Sequence, residues 1–133
     1  MNPDLEKKIK NLCELIEHET HERLMATGFQ ILVDSSQKEG RRTYKEIGYS
    51  PDHKLFVRIY ESCSRGSNSV KYFVEKETGI IYGADGWKKP NIKRAYGTLD
   101  TIHEWDWSNY YAESKLGLST LVPADQRRKA KKP

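Results

Sequence analysis

Residues 54–82 read KLFVRIYESCSRGSNSVKYFVEKETGIIY, and apolar side chains recur there at every second position. In Lys54–Ser62, Leu55, Val57 and Ile59 alternate with Phe56, Arg58 and Tyr60. A period of two is that of a β-strand with two different faces. Ser64–Ser69 (SRGSNS) reads as a turn. Val70–Glu75 and Ile80–Tyr82 are two further strands, joined by Lys76-Glu77-Thr78-Gly79, with Gly79 expected at positive φ. Strands in series with short connections predict an antiparallel sheet.

Upstream, Ser-Pro-Asp within Tyr49–His53 is a turn signal. Arg41–Gly48 reads as a polar strand, Ser35–Gly40 as a loop and Phe29–Asp34 as a short apolar strand. Before these, Leu5, Ile9, Leu12, Ile16 and Leu24 recur at helical spacing, with Cys13 and Leu15 widening the stripe, and predict one helix over residues 3–26. Asn2 suits the cap, Pro3 the first helical position and Gly28 the stop, while Asp4 and Glu6 favour the positive end of the helix dipole. The expected fold is α+β: a long N-terminal helix on an antiparallel sheet of four to five strands. A helix on one side leaves the other sheet face free.

Downstream of Gly83 the pattern weakens. Ala84–Thr98 is expected to be a long loop, and Leu99–Leu116 an irregular aromatic segment with a short helix near Ser108–Lys115. Residues 127–133, RRKAKKP, read as a disordered basic tail on a single domain spanning residues 1–126.

Hydrophobic residues make up 36% of the 133-residue chain and charged residues 32%, so the core is lean but its periodic Ile, Leu, Val, Tyr and Trp suffice to fold. The net charge of +4 is segregated: −3 over residues 1–40, +6 over 41–99, −4 over 100–126 and +5 over 127–133. The tail therefore sets the overall basicity, and the local excess at 41–99 is the better pointer to an anionic partner. Only two cysteines, Cys13 and Cys63, argue against a disulfide framework and for a reducing, cytoplasmic setting. The charged start MNPDLEKKIK does not read as a signal peptide, and no run has the length of a membrane span.

Five places carry candidate chemistry. If Leu55, Val57 and Ile59 face the helix, then Phe56, Arg58 and Tyr60 face outward, joined by Lys71 and Phe73 on the next strand, with Tyr72, Val74 and Val70 inward. Aromatics beside cations on an open sheet can stack bases and hold phosphates. The alternative is that the segment bearing Trp105 and Trp107 folds over that face as a second core. Next, WKKPNIKRAY places Trp87, Lys88, Lys89, Lys93 and Arg94 in the expected loop, where Arg94 suits bidentate phosphate contacts and the lysines act as point charges. Third, Asp100, His103, Glu104 and Asp106 lie close in sequence and offer oxygen ligands and a base to a divalent metal; the plainer reading is a capped helical turn, with the tryptophans as anchors. Fourth, Glu14, Glu17, His18, His21 and Glu22 lack the spacing of a zinc-protease or di-iron site and read as a solvated helix face with i,i+4 pairs. Last, the tail offers sequence-independent attraction to polyanions. No nucleophile elbow, phosphate loop or dinucleotide fingerprint occurs.

The stretch YFVEKETGIIYGADGWKKPN–KRAYGTLDTIHEWDW, within residues 72–107, resembles small uncharacterised proteins of bacteriophages and related mobile elements. The shared pattern is a YFV-K-TG-IYGA hairpin, a W-PN element and a YGTLDTI–WDW close. That resemblance implies a phage or episomal origin and carries over no catalytic or binding residue. The leading expectation is a small non-enzymatic nucleic-acid-binding protein, favouring single strands or RNA, without cofactor or metal. A protein-binding accessory or inhibitor acting on a host protein is the alternative, and a metal-dependent nuclease a second one.

Overall fold

A computed structural model describes residues 1–27, 46–62, 68–109 and 111–122. The expected strand Phe29–Asp34, the loop Ser35–Gly40, most of the expected strand Arg41–Gly48, Gly28, Cys63 and the tail lie outside them.

Helix α1 spans Pro3–Ala26, as the apolar spacing predicts. The Asn2 side chain caps it, accepting from the backbone N–H groups of Asp4 and Leu5 at 2.8 and 3.1 Å. Its buried stripe is Ile9, Leu12, Cys13 and Ile16. Glu17 is buried beside that stripe and not part of a solvated face: its Oε1 accepts from the Ile47 N–H at 2.8 Å. A carboxylate can be buried there because it receives a backbone donor from the sheet edge.

The strands β1 (Glu46–Ser50), β2 (Phe56–Ser62), β3 (Asn68–Glu75), β4 (Ile80–Gly86) and β5 (Lys89–Thr98) form one antiparallel sheet in chain order. The protein is thus α+β, one helix on a five-stranded meander. Tyr49 and Ser50 belong to β1, opposite Ile59 and Arg58, so the upstream turn starts at Pro51. Gly79 does adopt positive φ (74°) in the β3–β4 turn.

Two corrections concern the outer sheet face. Between Ile59 and Tyr60 the β2–β3 register slips: Ile59 faces Tyr72 and Tyr60 faces Val70, leaving Lys71 as the extra residue. The bulge flips the parity of β3, so Val70 packs on the outer side and not with Tyr72 and Val74. Further on, the expected loop Ala84–Thr98 is a hairpin of β4 and β5. It pairs with β3 only through Tyr82 and Ile81, then bends away through three register irregularities and arches over the outer face. Ala84, Ile92 and Ala95 from it close on Phe56, Phe73 and Tyr82, which with His53 form an edge-to-face cluster at 5.2–6.1 Å.

The main core lies between α1 and the inner face. Val57, Ile59, Tyr72, Val74, Ile81 and Tyr96 meet the helix stripe there. Trp105, on the two-residue strand β6 (Trp105–Asp106), and Trp107 belong to this same core, on the helix side of the sheet and not over its outer face. The expected helix near Ser108–Lys115 is not formed; Glu113–Ser114 is β7, paired with β6. A single 3-10 turn, Ile102–Glu104, precedes the tryptophans. Trp107 Nε1 donates to the Ile102 carbonyl at 2.8 Å, and its backbone N–H to Glu19 Oε1 at 2.9 Å, tying the segment to α1. Burying an aromatic ring of this size contributes about 2–3 kcal/mol, which explains why a segment with so little regular structure is held in place.

Candidate nucleic-acid interface

Gly86 pairs with Lys89, so Trp87 and Lys88 are the two residues of the β4–β5 turn. The arch of the hairpin brings this tip back over the middle of β2. The Arg58 guanidinium lies over two rings, 4.6 Å from the centre of Trp87 and 5.7 Å from that of Phe73. Its Nε donates to the Trp87 carbonyl and its Nη1 to Asp52 Oδ1. Arg58 thus links the buried Phe73 ring to the exposed Trp87 ring in one cation–π stack. Tyr60 flanks the stack, its ring centre 5.8 Å from that of Trp87. Tyr60 can lie across β1 because its register partner is Gly48; a Cβ there would sit 2.8 Å from the Tyr60 ring.

The candidate residues divide by exposure. Phe56, Phe73 and Arg58 are 3%, 0% and 2% exposed, so they support the surface from below and present no ring or cation to a ligand. Lys71 and Tyr60 are half-buried, and Lys71 pairs with Glu61 at 3.8 Å. Trp87 is 40% exposed, and Lys88 and Lys89 are exposed beside it. Lys93 and Arg94 are exposed as well but stand further along β5. There the chain bends outward, and residues Thr120–Val122 pair along it: Ala95 N–H donates to the Thr120 carbonyl at 2.7 Å and Val122 N–H to the Lys93 carbonyl at 2.9 Å. Arg94 lies with Tyr96, a residue of the helix-side core, and so on the other side of the sheet from Arg58 and Trp87. The basic run is thus split between a hairpin tip and a second cleft.

Electrostatics at the stack follow from its packing. Hydrogen bonds from Ser50 and from Arg58 hold the Asp52 carboxyl below the usual carboxylate range. Burial, with Arg58 and Lys76 nearby, pushes the His53 pKa down. Neutral His53 accepts from the Leu55 N–H through Nδ1 at 3.1 Å.

Two of the three acidic residues of the 100–106 segment, Asp100 and Asp106, are otherwise engaged. Asp100 pairs with Lys8 at 3.1 Å, and Asp106 Oδ1 accepts from the Ser108 N–H and hydroxyl at 2.9 and 2.6 Å. Among the described residues, no group of three or more His, Cys, Asp or Glu is placed to share a metal ion. No helix among them is long and apolar enough to cross a membrane.

No protein-family model, curated protein or solved structure matches the chain. Tyr96 and Tyr111, which line the second cleft, were not among the sequence candidates. Their only signal is a tyrosine two residues after Arg94 and another in an aromatic pair.

Proposed function

We propose that the protein binds nucleic acid, single strands or RNA, at the tip of the β4–β5 hairpin, without catalysis. The observation that carries this reading is the Trp87 ring: 40% exposed, packed against the Arg58 guanidinium, and flanked by Lys88 and Lys89. An exposed aromatic fixed before binding loses little rotamer freedom when a base stacks on it, and such a stack is worth about 1–3 kcal/mol. The adjacent lysines neutralise phosphates and make affinity fall with salt. Tyr60 and Lys93 extend the surface; Phe56, Arg58 and Phe73 shape it from beneath. Anisotropy titration of a labelled single-stranded RNA, and of the matching DNA, at low and physiological salt tests the reading. Saturable, salt-sensitive binding is expected, retained in a chain that ends at Gln126. Loss of binding with the tail sinks it.

A second reading, a protein-binding module, is favoured by the exposed Leu118 and Leu121 beside Tyr111, apolar surface with Arg94 and Glu113 next to it. Self-association or partner binding that survives high salt would select it over the first.

A further inference from the structure

The second cleft, about 580 Å³, lies where β5 meets the returning C-terminal segment and is lined by Arg94, Tyr96, Tyr111, Glu113, Leu118 and Leu121. We infer that this cleft binds a small oxyanion carried on an apolar body, a carboxylate or a phosphate ester, through the Arg94 guanidinium and the Tyr96 hydroxyl. It is independent of the hairpin-tip surface.

The first observation is an unmet hydrogen bond. Tyr96 is 1% exposed, and its hydroxyl has no hydrogen-bond partner. The Arg94 guanidinium stands close enough to influence that hydroxyl, but without hydrogen-bond geometry, and the hydroxyl proton has no acceptor. Most buried hydroxyls are satisfied, and leaving one unmet disfavours the fold unless a ligand supplies the partner. Burial pushes the Tyr96 pKa up, so the group stays protonated and remains a donor.

The second observation is the charge on the wall. Arg94 is exposed, and no carboxylate among the described residues pairs with it. A guanidinium offers two parallel donors to a carboxylate or a phosphate. Arg94 and Tyr96 line the cleft together, with the Arg94 stem and the Tyr96 hydroxyl side by side over Gly83, so one incoming anion can engage both donors. Glu113 also lines the cleft; it is exposed, so solvent and salt screen its repulsion.

The third is the rest of the lining. Tyr111, Leu118 and Leu121 are all more than half exposed and are unusual as a group on a chain this polar. Beside a single cation they fit the pattern of a small-ligand site, an apolar wall with a few directional polar groups. A bare anion would leave that wall wet; an aryl or alkyl body would cover it.

Amide chemical shifts of the full chain titrated with phenyl phosphate, phenylacetate, inorganic phosphate and benzyl alcohol test this. Saturable shifts at Ala95, Tyr96, Ala112 and Glu113 with phenyl phosphate or phenylacetate are expected, and the one that binds more tightly identifies the anion. Arg94→Gln weakens that binding about tenfold or more. Tyr96→Phe weakens it severalfold while leaving the melting temperature of the free protein unchanged or higher, since it removes an unmet hydroxyl. No saturation by either aryl anion up to about 10 mM overturns the inference. So does equal binding of benzyl alcohol, which would make the cleft merely apolar, or affinity unchanged in both variants.

Discussion

The Arg58 guanidinium lies 4.6 Å from the centre of the Trp87 ring, and its Nε donates to the Trp87 carbonyl. One residue at the centre of β2 thus fixes both the ring and the backbone at the tip of a hairpin that is 29 residues away in sequence. Without it the tip would keep the Tyr60 ring contact and the packing of Ala84 and Ile92, but would lose its hydrogen bond and its cation to β2.

Replacing Arg58 with Met keeps the apolar stem but removes the cation and its donors. We expect a loss of about 2 kcal/mol in denaturant unfolding. The emission of the protein should shift to the red, because Trp87 is the tryptophan that leaves its partner. Asp52→Asn should cost less, since Asp52 is largely exposed and its pairing is screened by solvent.

Two glycines with the same backbone angle should respond differently to alanine. Gly97 has φ 74°, and a Cβ there would lie 2.5 Å from Thr101 Oγ1 and 2.6 Å from Trp105 Nε1. Gly97→Ala combines left-handed strain with a clash against the core, and about 2–4 kcal/mol should be lost. Gly117 has φ 73° with nothing within 4 Å of a Cβ, so Gly117→Ala should cost about 1 kcal/mol. Paired thermal melts separate the two contributions.

Stability should fall as pH is lowered from 7 toward 5. His53 has a depressed pKa in the folded protein, so below its ordinary value of 6.5 the unfolded chain binds more protons. Its stabilising share is complete above that value and is lost as pH drops toward the folded pKa. Protonation of Nδ1 breaks the bond from the Leu55 N–H and places a cation beside Arg58 and Lys76. His53→Gln should flatten this part of the pH–stability curve. Asp52 and Asp106, depressed below their ordinary 3.8, contribute stability that is present above 3.8 and is lost only as pH falls through their folded pKa values.

Lys88 and Lys89 should act through charge alone. The double change to Gln should reduce the slope of log affinity against log salt by roughly one to two, leaving the melting temperature within error. A variant that unfolds instead would show that these exposed lysines hold the hairpin.

Much of this architecture was legible in the chain. The spacing from Leu5 to Ile16 and the cap at Asn2 located α1, and the alternation in residues 56–60 assigned both faces of β2. Leu55, expected to face the helix, instead precedes the strand and packs with the outer cluster of Phe56, Phe73 and Tyr82. Strand β5 was hidden because its apolar content is reduced to Ile92, Ala95 and Tyr96, and Pro90, Asn91 and the cations are poor strand formers. Its pairing, which absorbs bulges and gains Thr120–Val122 as a neighbour, comes from tertiary contacts. Trp105 and Trp107 could be read as anchors, but neither their burial nor their side of the sheet was fixed, since two-residue strands have no period to follow. Nor could alternation show that Phe56 and Phe73 are covered: that depends on how far the hairpin bends, which Arg58 helps set.

Trp105 and Trp107 are buried and Trp87 is exposed, so intrinsic fluorescence in a titration with single-stranded RNA reports chiefly on the hairpin tip. Saturable quenching that weakens with salt is predicted, together with about tenfold loss of affinity for Trp87→Ala, followed by anisotropy at a temperature where the variant is folded. Binding that is indifferent to Trp87→Ala, or that persists only while residues 127–133 are present, would contradict a nucleic-acid surface at the tip.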